Sequence, residues 1–265
     1  MERLRWVSQS LRNDYLLVDI AGFSVTLYQD GQLTWKTRAI VGRPYRRTPV
    51  FRASMTYMVL NPNWTVPRTI LHEDILPKVK RDRAALIEKN LLVIDPLGQE
   101  VDPNKIDWDK FPASYRGYKL RQPPGPDNTL GRIKFMFPNP YVVYLHDTSS
   151  KLLFNETQRA FSSGCIRIEN PLELAEILLE SNTDYKREWL YEQIETQQTR
   201  TVQLNQALPV LMLYFTAEAH DGEFIQFRND LYGRDDKVLK ALTDKMSFTL
   251  GIVDSRSNHN ISRKP

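Results

Sequence analysis

A single cysteine, Cys165, is all the thiol that this 265-residue chain contains. That excludes an internal disulfide and a Cys-based zinc cluster, and it leaves cysteine usage silent about redox compartment. Histidine is sparse too, with four residues, and no His/Asp/Glu set shows the spacing of a zinc site, so no metal is expected. There is no phosphate-cradling Gly-rich loop, no internal repeat and no low-complexity tract, and no cofactor is expected. No apolar run reaches the roughly 18 residues of a membrane span. Basic and acidic residues number 36 and 32, for a formal charge of +4 without a long block of one sign. That balance gives no nucleic-acid arm and suits acidic polymers in general. Met1 to Trp6 is charged and lacks the apolar centre of a signal peptide, which taken alone reads as a cytosolic chain. What is present is 41% hydrophobic and 26% charged residues, the composition of a globular protein with room for one or two domains.

The lone cysteine lies in Ser162-Ser163-Gly164-Cys165-Ile166-Arg167, downstream of Tyr144-Leu145-His146-Asp147-Thr148. Thiol chemistry needs a thiolate, and a histidine is the usual base that makes one. His146 ends the apolar run Tyr141–Leu145, which reads as a strand. A strand carrying a base, a loop and then a Gly-Cys turn is an arrangement nucleophilic catalysis can use. The plain alternative is a small buried cysteine without a reaction. On a two-residue strand period Tyr144 shares the face of His146, where it touches substrate, orients the ring or simply packs. Arg167 either forks onto a substrate carboxylate or pins the cysteine loop through backbone carbonyls.

Residues 13–67 read as an antiparallel meander. Tyr15–Ile20, Ser24–Tyr28 and Leu33–Val41 are β-rich, and Asp30-Gly31 is a strong hairpin signal. Arg43 to Pro49 is a basic, proline-punctuated turn, either a solvated loop or a guide for an anionic group. Trp64, held extended between Pro62 and Pro67, lines a groove or packs on a sheet face. Residues 68–116 change character and read as an insertion able to fold over a groove. Ile75, Leu76, Val79, Leu86 and Ile87 predict a helix of about four turns, with Pro77 near its start and His72 on its surface; a strand follows at 91–95. After the cysteine, Asn170-Pro171 opens an amphipathic helix whose positive end is expected near the thiolate. Residues 184–203 read as a charged helix, Pro209–Thr216 as a buried strand, Glu223–Phe227 as its hairpin partner about Asp221-Gly222, and 235–246 as a last helix. Residues 1–12 are an arm or linker, and 251–265 a flexible tail.

His146, an 18-residue spacer and Ser-Ser-Gly-Cys-Ile-Arg together resemble the active-site motif of the YkuD-type L,D-transpeptidases, a family of peptidoglycan enzymes. Ser162, Gly164, Cys165, Ile166 and Arg167 match position by position. Ser163 departs, standing where many members carry a second histidine. The Ser-Ser-Gly-Cys form and the inserted segment are similar to the large periplasmic branch that makes 3→3 cross-links. The resemblance covers roughly residues 13–250.

It implies an α+β fold of mainly antiparallel β-sheets, a YkuD-like β-sandwich with peripheral helices. The catalytic domain would comprise 13–67 and 117–250, with 68–116 an inserted α-rich capping subdomain. It also implies a periplasmic enzyme whose targeting segment lies upstream of this piece. Cys165 would be the nucleophile and His146 its base, with Ser163 in the catalytic turn. The backbone N–H groups of Gly164 and Cys165 would bind the oxyanion, and Arg167, Tyr144 and Trp64 would contact substrate. The partners implied are peptidoglycan stem peptides as donor and acceptor, and carbapenem-type β-lactams as covalent inhibitors. Attack on the third residue of a tetrapeptide stem, meso-diaminopimelate, would expel the terminal D-alanine. The acceptor decides among cross-linking, L,D-carboxypeptidase activity and lipoprotein attachment. Two readings of other classes are a non-catalytic wall-binding module and a cysteine peptidase with reversed Cys–His order.

Overall fold

The computed structural model describes residues 13–180, 187–220 and 224–244. They form two units, residues 1–232 and 233–265. In the second, the described structure is one helix, Asp235–Thr243, within the range the sequence predicts. The predicted arm and tail, and the Asp221-Gly222 turn, lie outside the described residues.

The first unit is an α+β fold with mainly antiparallel sheets. Strands β1 (Tyr15–Asp19), β2 (Ser24–Gln29), β3 (Gln32–Gly42) and β4 (Phe51–Leu60) open it. The β2–β3 turn places Asp30 and Gly31 at φ 50° and 75°, the left-handed pair that a two-residue hairpin requires. β5 (Trp64–Thr65), β6 (Leu92–Ile94), β7 (Glu100–Val101) and β8 (Lys119–Gln122) follow. Then come β9 (Ile133–Met136), β10 (Leu145–His146), β11 (Ala160–Ser162), β12 (Ile166–Ile168) and β13 (Arg200–Leu213).

The large sheet runs β11-β3-β12-β10-β9-β4-β13-β1-β2 and closes on itself through β2–β3. Closure leaves little free edge and encloses one core, in which Leu16, Val18, Met58, Phe135, Leu145 and Ile166 are fully buried. By area, each such side chain stabilises the fold by about 1.5–3 kcal/mol. The same core takes in α4 (Pro171–Glu180), which buries Leu174, Ala175 and Leu179 on one stripe, and α5 (Arg187–Glu195), which buries Leu190 and Ile194.

Between β4 and β9 the chain builds a second sheet, β5-β8-β6-β7, over its own apolar cluster including Trp64, Val79, Val93 and Trp108. The strand expected at 91–95 is β6. The single four-turn helix is not formed. α1 (Arg68–Ile70) runs into a π-helical turn, Leu71–Ile75, and then α2 (Leu76–Arg81). Pro77 removes one N–H from that ladder, a cause of such irregular turns. Asp82 turns extended and its carboxylate accepts from Ala84 N–H at 2.8 Å, so α3 (Ala84–Glu88) starts afresh. His72 is exposed.

One further expectation is corrected. Phe224–Phe227 (β15) pairs with Ala217–His220 (β14), not with the 209–216 strand. β13 has both edges occupied, by β4 and β1, and has no edge left for a hairpin partner. The helix expected after the cysteine is α4, which starts at Pro171 once β12 has ended.

Candidate active site

β10 lies between β9 and β12, and its register sets the site. His146 stands opposite Lys134 on one side and Arg167 on the other, while Leu145 pairs with Phe135 and Ile166. The latter three are fully buried, so strand alternation turns Lys134, His146 and Arg167 to the opposite face. Ile166 N–H donates to Tyr144 C=O at 3.1 Å, which sets Tyr144 beside Cys165 one step along the same face. Cys165, His146, Tyr144, Arg167, Ser163 and Trp64 all line one cleft of about 410 Å³. Gly164 shapes the turn behind it.

That turn is held from several directions. Ser162 Oγ donates to Cys165 C=O at 2.5 Å and accepts Gly164 N–H at 3.1 Å. Gly164 has φ +117°, a conformation that side chains rarely permit. Its carbonyl accepts from Thr48 Oγ1 at 2.9 Å, and Thr48 Oγ1 accepts Gly42 N–H at 2.9 Å. The Gly164 N–H, expected as an oxyanion donor, is thus engaged by Ser162 Oγ. The Cys165 N–H has no partner among the described residues. Ser163 Oγ is tied to Arg46 Nη1 at 2.9 Å.

Of the run before His146, only Leu145 is in a strand; residues 141–144 are not. Asn139 Oδ1 accepts the N–H groups of Tyr141 and Val143 at 3.1 and 3.2 Å, and Nδ2 donates to the carbonyls of Phe137 and Val143 at 2.6 and 2.7 Å. A side chain thus takes the groups that a ladder would use. Val142 is left at φ +55°, strained for a β-branched residue. Its carbonyl faces the Cys165 sulfur at 3.8 Å.

The electrostatics favour neutral resting groups. Burial pushes the Cys165 thiol up, against the opposing pull of Tyr144, Arg167 and Lys134. Tyr144, whose hydroxyl lies against that sulfur, is raised chiefly by burial. Its ring centroid is 5.7 Å from that of His146. His146 is lowered to about 3, first by burial, then by Arg167, with Lys134 and Lys151 adding to the effect. Its Nδ1 meets the Asp147 carbonyl. A carbonyl only accepts, so the neutral ring carries its proton on Nδ1 and keeps the Nε2 lone pair free. Arg167 is lowered by burial, and its Nε finds no partner.

Among the described residues no group of three His, Cys, Asp or Glu could hold a metal, and no helix is long and apolar enough to cross a membrane. Sequence reasoning missed Lys134, Asn139 and Thr48. A lysine between Ile133 and Phe135 in a strand was the available signal for the first. Asn139-Pro140 registered only as a break, and Thr48 only as part of a basic loop.

Comparison with known proteins adds the following. The family model of the YkuD L,D-transpeptidase catalytic domain matches residues 13–202. A Haemophilus influenzae protein named "Putative L,D-transpeptidase" is 36% identical over 225 residues, which are 84% of this chain and 45% of that protein. The chain therefore spans a little under half the length of that curated relative. Among solved structures, Mycobacterium tuberculosis L,D-transpeptidase 3 in complex with a faropenem-derived adduct is similar at 14% identity and a TM-score of 0.33, covering 76% of this chain and 60% of that one. The catalytic domain of the E. faecium L,D-transpeptidase is similar at 14% identity and a TM-score of 0.29, covering 77% of this chain and 99% of that one. On the match over residues 13–202 and the kinship with the Haemophilus protein, the chain belongs to the YkuD family of L,D-transpeptidase catalytic domains.

Proposed function

We propose that the chain is a periplasmic peptidoglycan L,D-transpeptidase that forms 3→3 cross-links through a thioester on Cys165. The observation that carries this reading is that Cys165, in the turn that enters β12 level with Tyr144, and His146, two residues further along β10, line the same cleft. His146 Nε2 takes the thiol proton as sulfur bonds to the carbonyl carbon of the stem's third residue. The Cys165 N–H stabilises the oxyanion. On collapse the C–N bond to D-alanine breaks, and the amine leaves with the proton held by His146. The side-chain amine of a second stem then attacks the thioester, forms the amide and returns a proton to sulfur. Tyr144, Arg167 and Trp64 line the cleft and contact the stem.

Residues 68–116 act as the capping subdomain. Thr69 and Ile70 line the cleft, and Glu73 and Asp74 bind Arg46 at its edge. The faropenem adduct on a structural relative motivates the same covalent chemistry here, with carbapenem-type β-lactams acylating Cys165.

Incubation with purified disaccharide-tetrapeptide and mass analysis tests the assignment. Cross-linked dimer that disappears in Cys165→Ala supports it. Tripeptide without dimer makes the chain an L,D-carboxypeptidase, and dimer formed equally by Cys165→Ala removes the nucleophile. No product, with Cys165 unreactive in the native protein, favours a wall-binding module.

A further inference from the structure

We infer that Lys134, together with Arg167, supplies the positive potential that stabilises the Cys165 thiolate, in place of an imidazolium at His146. This rests on Cys165 being the nucleophile. Lys134 and Arg167 flank His146 in register on β9 and β12. Lys134 is half-buried, and its ammonium lies 5.6 Å from the centroid of the Tyr144 ring, the ring whose hydroxyl adjoins the sulfur.

No carboxylate among the described residues pairs with either cation. The acids around the site are committed elsewhere: Asp147 to Lys151, Glu73 and Asp74 to Arg46, Glu169 to Arg38. The groups facing Cys165 can be taken element by element. β9 contributes Lys134, β10 the neutral His146, and the segment before it the neutral Tyr144. β12 contributes Arg167, and the β3–β4 loop contributes Arg43 near Arg167, Arg47 at the cleft wall and the neutralised Arg46. β4 presents the apolar Val59, paired with Lys134, and the overlying segment presents the uncharged Thr69 and Ile70. The sum is positive with no countercharge. Such a site offsets part of the rise that burial imposes on the Cys165 thiol, and it disfavours a resting imidazolium between the two cations.

The test is the pH dependence of Cys165 alkylation by iodoacetamide, followed by mass spectrometry on the whole chain. In Lys134→Met the midpoint should rise by about one pH unit, slowing alkylation near neutrality about tenfold, while Lys134→Arg should stay close to the parent. An unmoved midpoint in a folded Lys134→Met protein overturns the inference. Should that variant not fold, Lys134→Gln takes its place. Alkylation does not depend on an acyl acceptor. A protein whose thiol obeys these rules yet makes no dimer refutes the transpeptidase reading alone.

Discussion

Arg46 Nη1 lies 2.9 Å from Ser163 Oγ and 2.5 Å from Asp74 Oδ2, so one guanidinium joins the cysteine turn to the segment above it. Nη2 adds Glu73 at 2.5 Å. The Arg46 side chain is 9% exposed, but its acidic partners are 39% and 58% exposed, and solvent discounts the pairing. Arg46→Ala should therefore cost only about 1–2 kcal/mol of stability by thermal unfolding. It should lower the rate of Cys165 acylation by a β-lactam more than that stability loss accounts for. Arg46→Lys keeps the charge but not the fork, and should fall between. An Arg46→Ala protein that acylates at the parent rate would dissociate the overlying segment from the chemistry.

Gly164→Ala isolates backbone conformation. An added Cβ would meet nothing closer than the Arg47 carbonyl at 3.7 Å, so space is not the obstacle; φ +117° is. The strain should cost about 1–3 kcal/mol. It should be relieved by rotating the turn, which swings the Cys165 N–H away from the developing oxyanion. Acylation should drop by about 100-fold while the protein still unfolds cooperatively. Retained activity would mean that the oxyanion is held elsewhere.

Which parts of this were legible in the sequence follows from where the determining contacts lie. The Asp30-Gly31 hairpin and the Ser162–Arg167 turn are local, and their residues state their own requirements. The Tyr141–Leu145 run looked like a strand because its apolar residues are contiguous. What prevents it over 141–144 is the Asn139 side chain capturing four backbone groups, a competition that periodicity does not register. Phe224–Phe227 has hairpin chemistry, but its partner was decided by β13 having no open edge, a fact of sheet order rather than of composition. His146 and Cys165 were each identifiable, whereas the alignment of Lys134 with His146 exists only once β9 and β10 pair. Thr48 was hidden for the same reason: its bond partner Gly164 is far away in the chain.

Acid should destabilise the fold through His146. Its pKa falls from the ordinary 6.5 to about 3 in the folded chain. Between those values the unfolded chain takes up a proton that the native site refuses. The stability is fully present above about pH 6.5, and is lost progressively as pH drops towards 3. Unfolding midpoints of the parent and His146→Gln should converge, or cross in favour of the variant, as pH is lowered from 7 to 4. Parallel curves would mean that the imidazole is protonated in the native state.

The last contact chain begins beyond the stretch shared with the family model, which ends at residue 202. Tyr232, buried with its ring stacked 5.4 Å from Tyr214, donates its hydroxyl to Gly42 C=O at 2.6 Å and accepts Thr48 N–H at 3.2 Å. Thr48 in turn holds Gly164 C=O. Thr48→Val keeps the shape but strands the Gly42 N–H and the Gly164 C=O without their partner, at about 1–3 kcal/mol. Tyr232→Phe removes only the outer link and should cost about 1 kcal/mol. Both variants should slow β-lactam acylation in the order of their closeness to Gly164, Thr48→Val more than Tyr232→Phe. The double variant should fall short of additivity, because the two hydroxyls act on one turn. Measured acylation rates and melting temperatures decide this: strictly additive losses would mean that Tyr232 braces the fold independently of the cysteine turn.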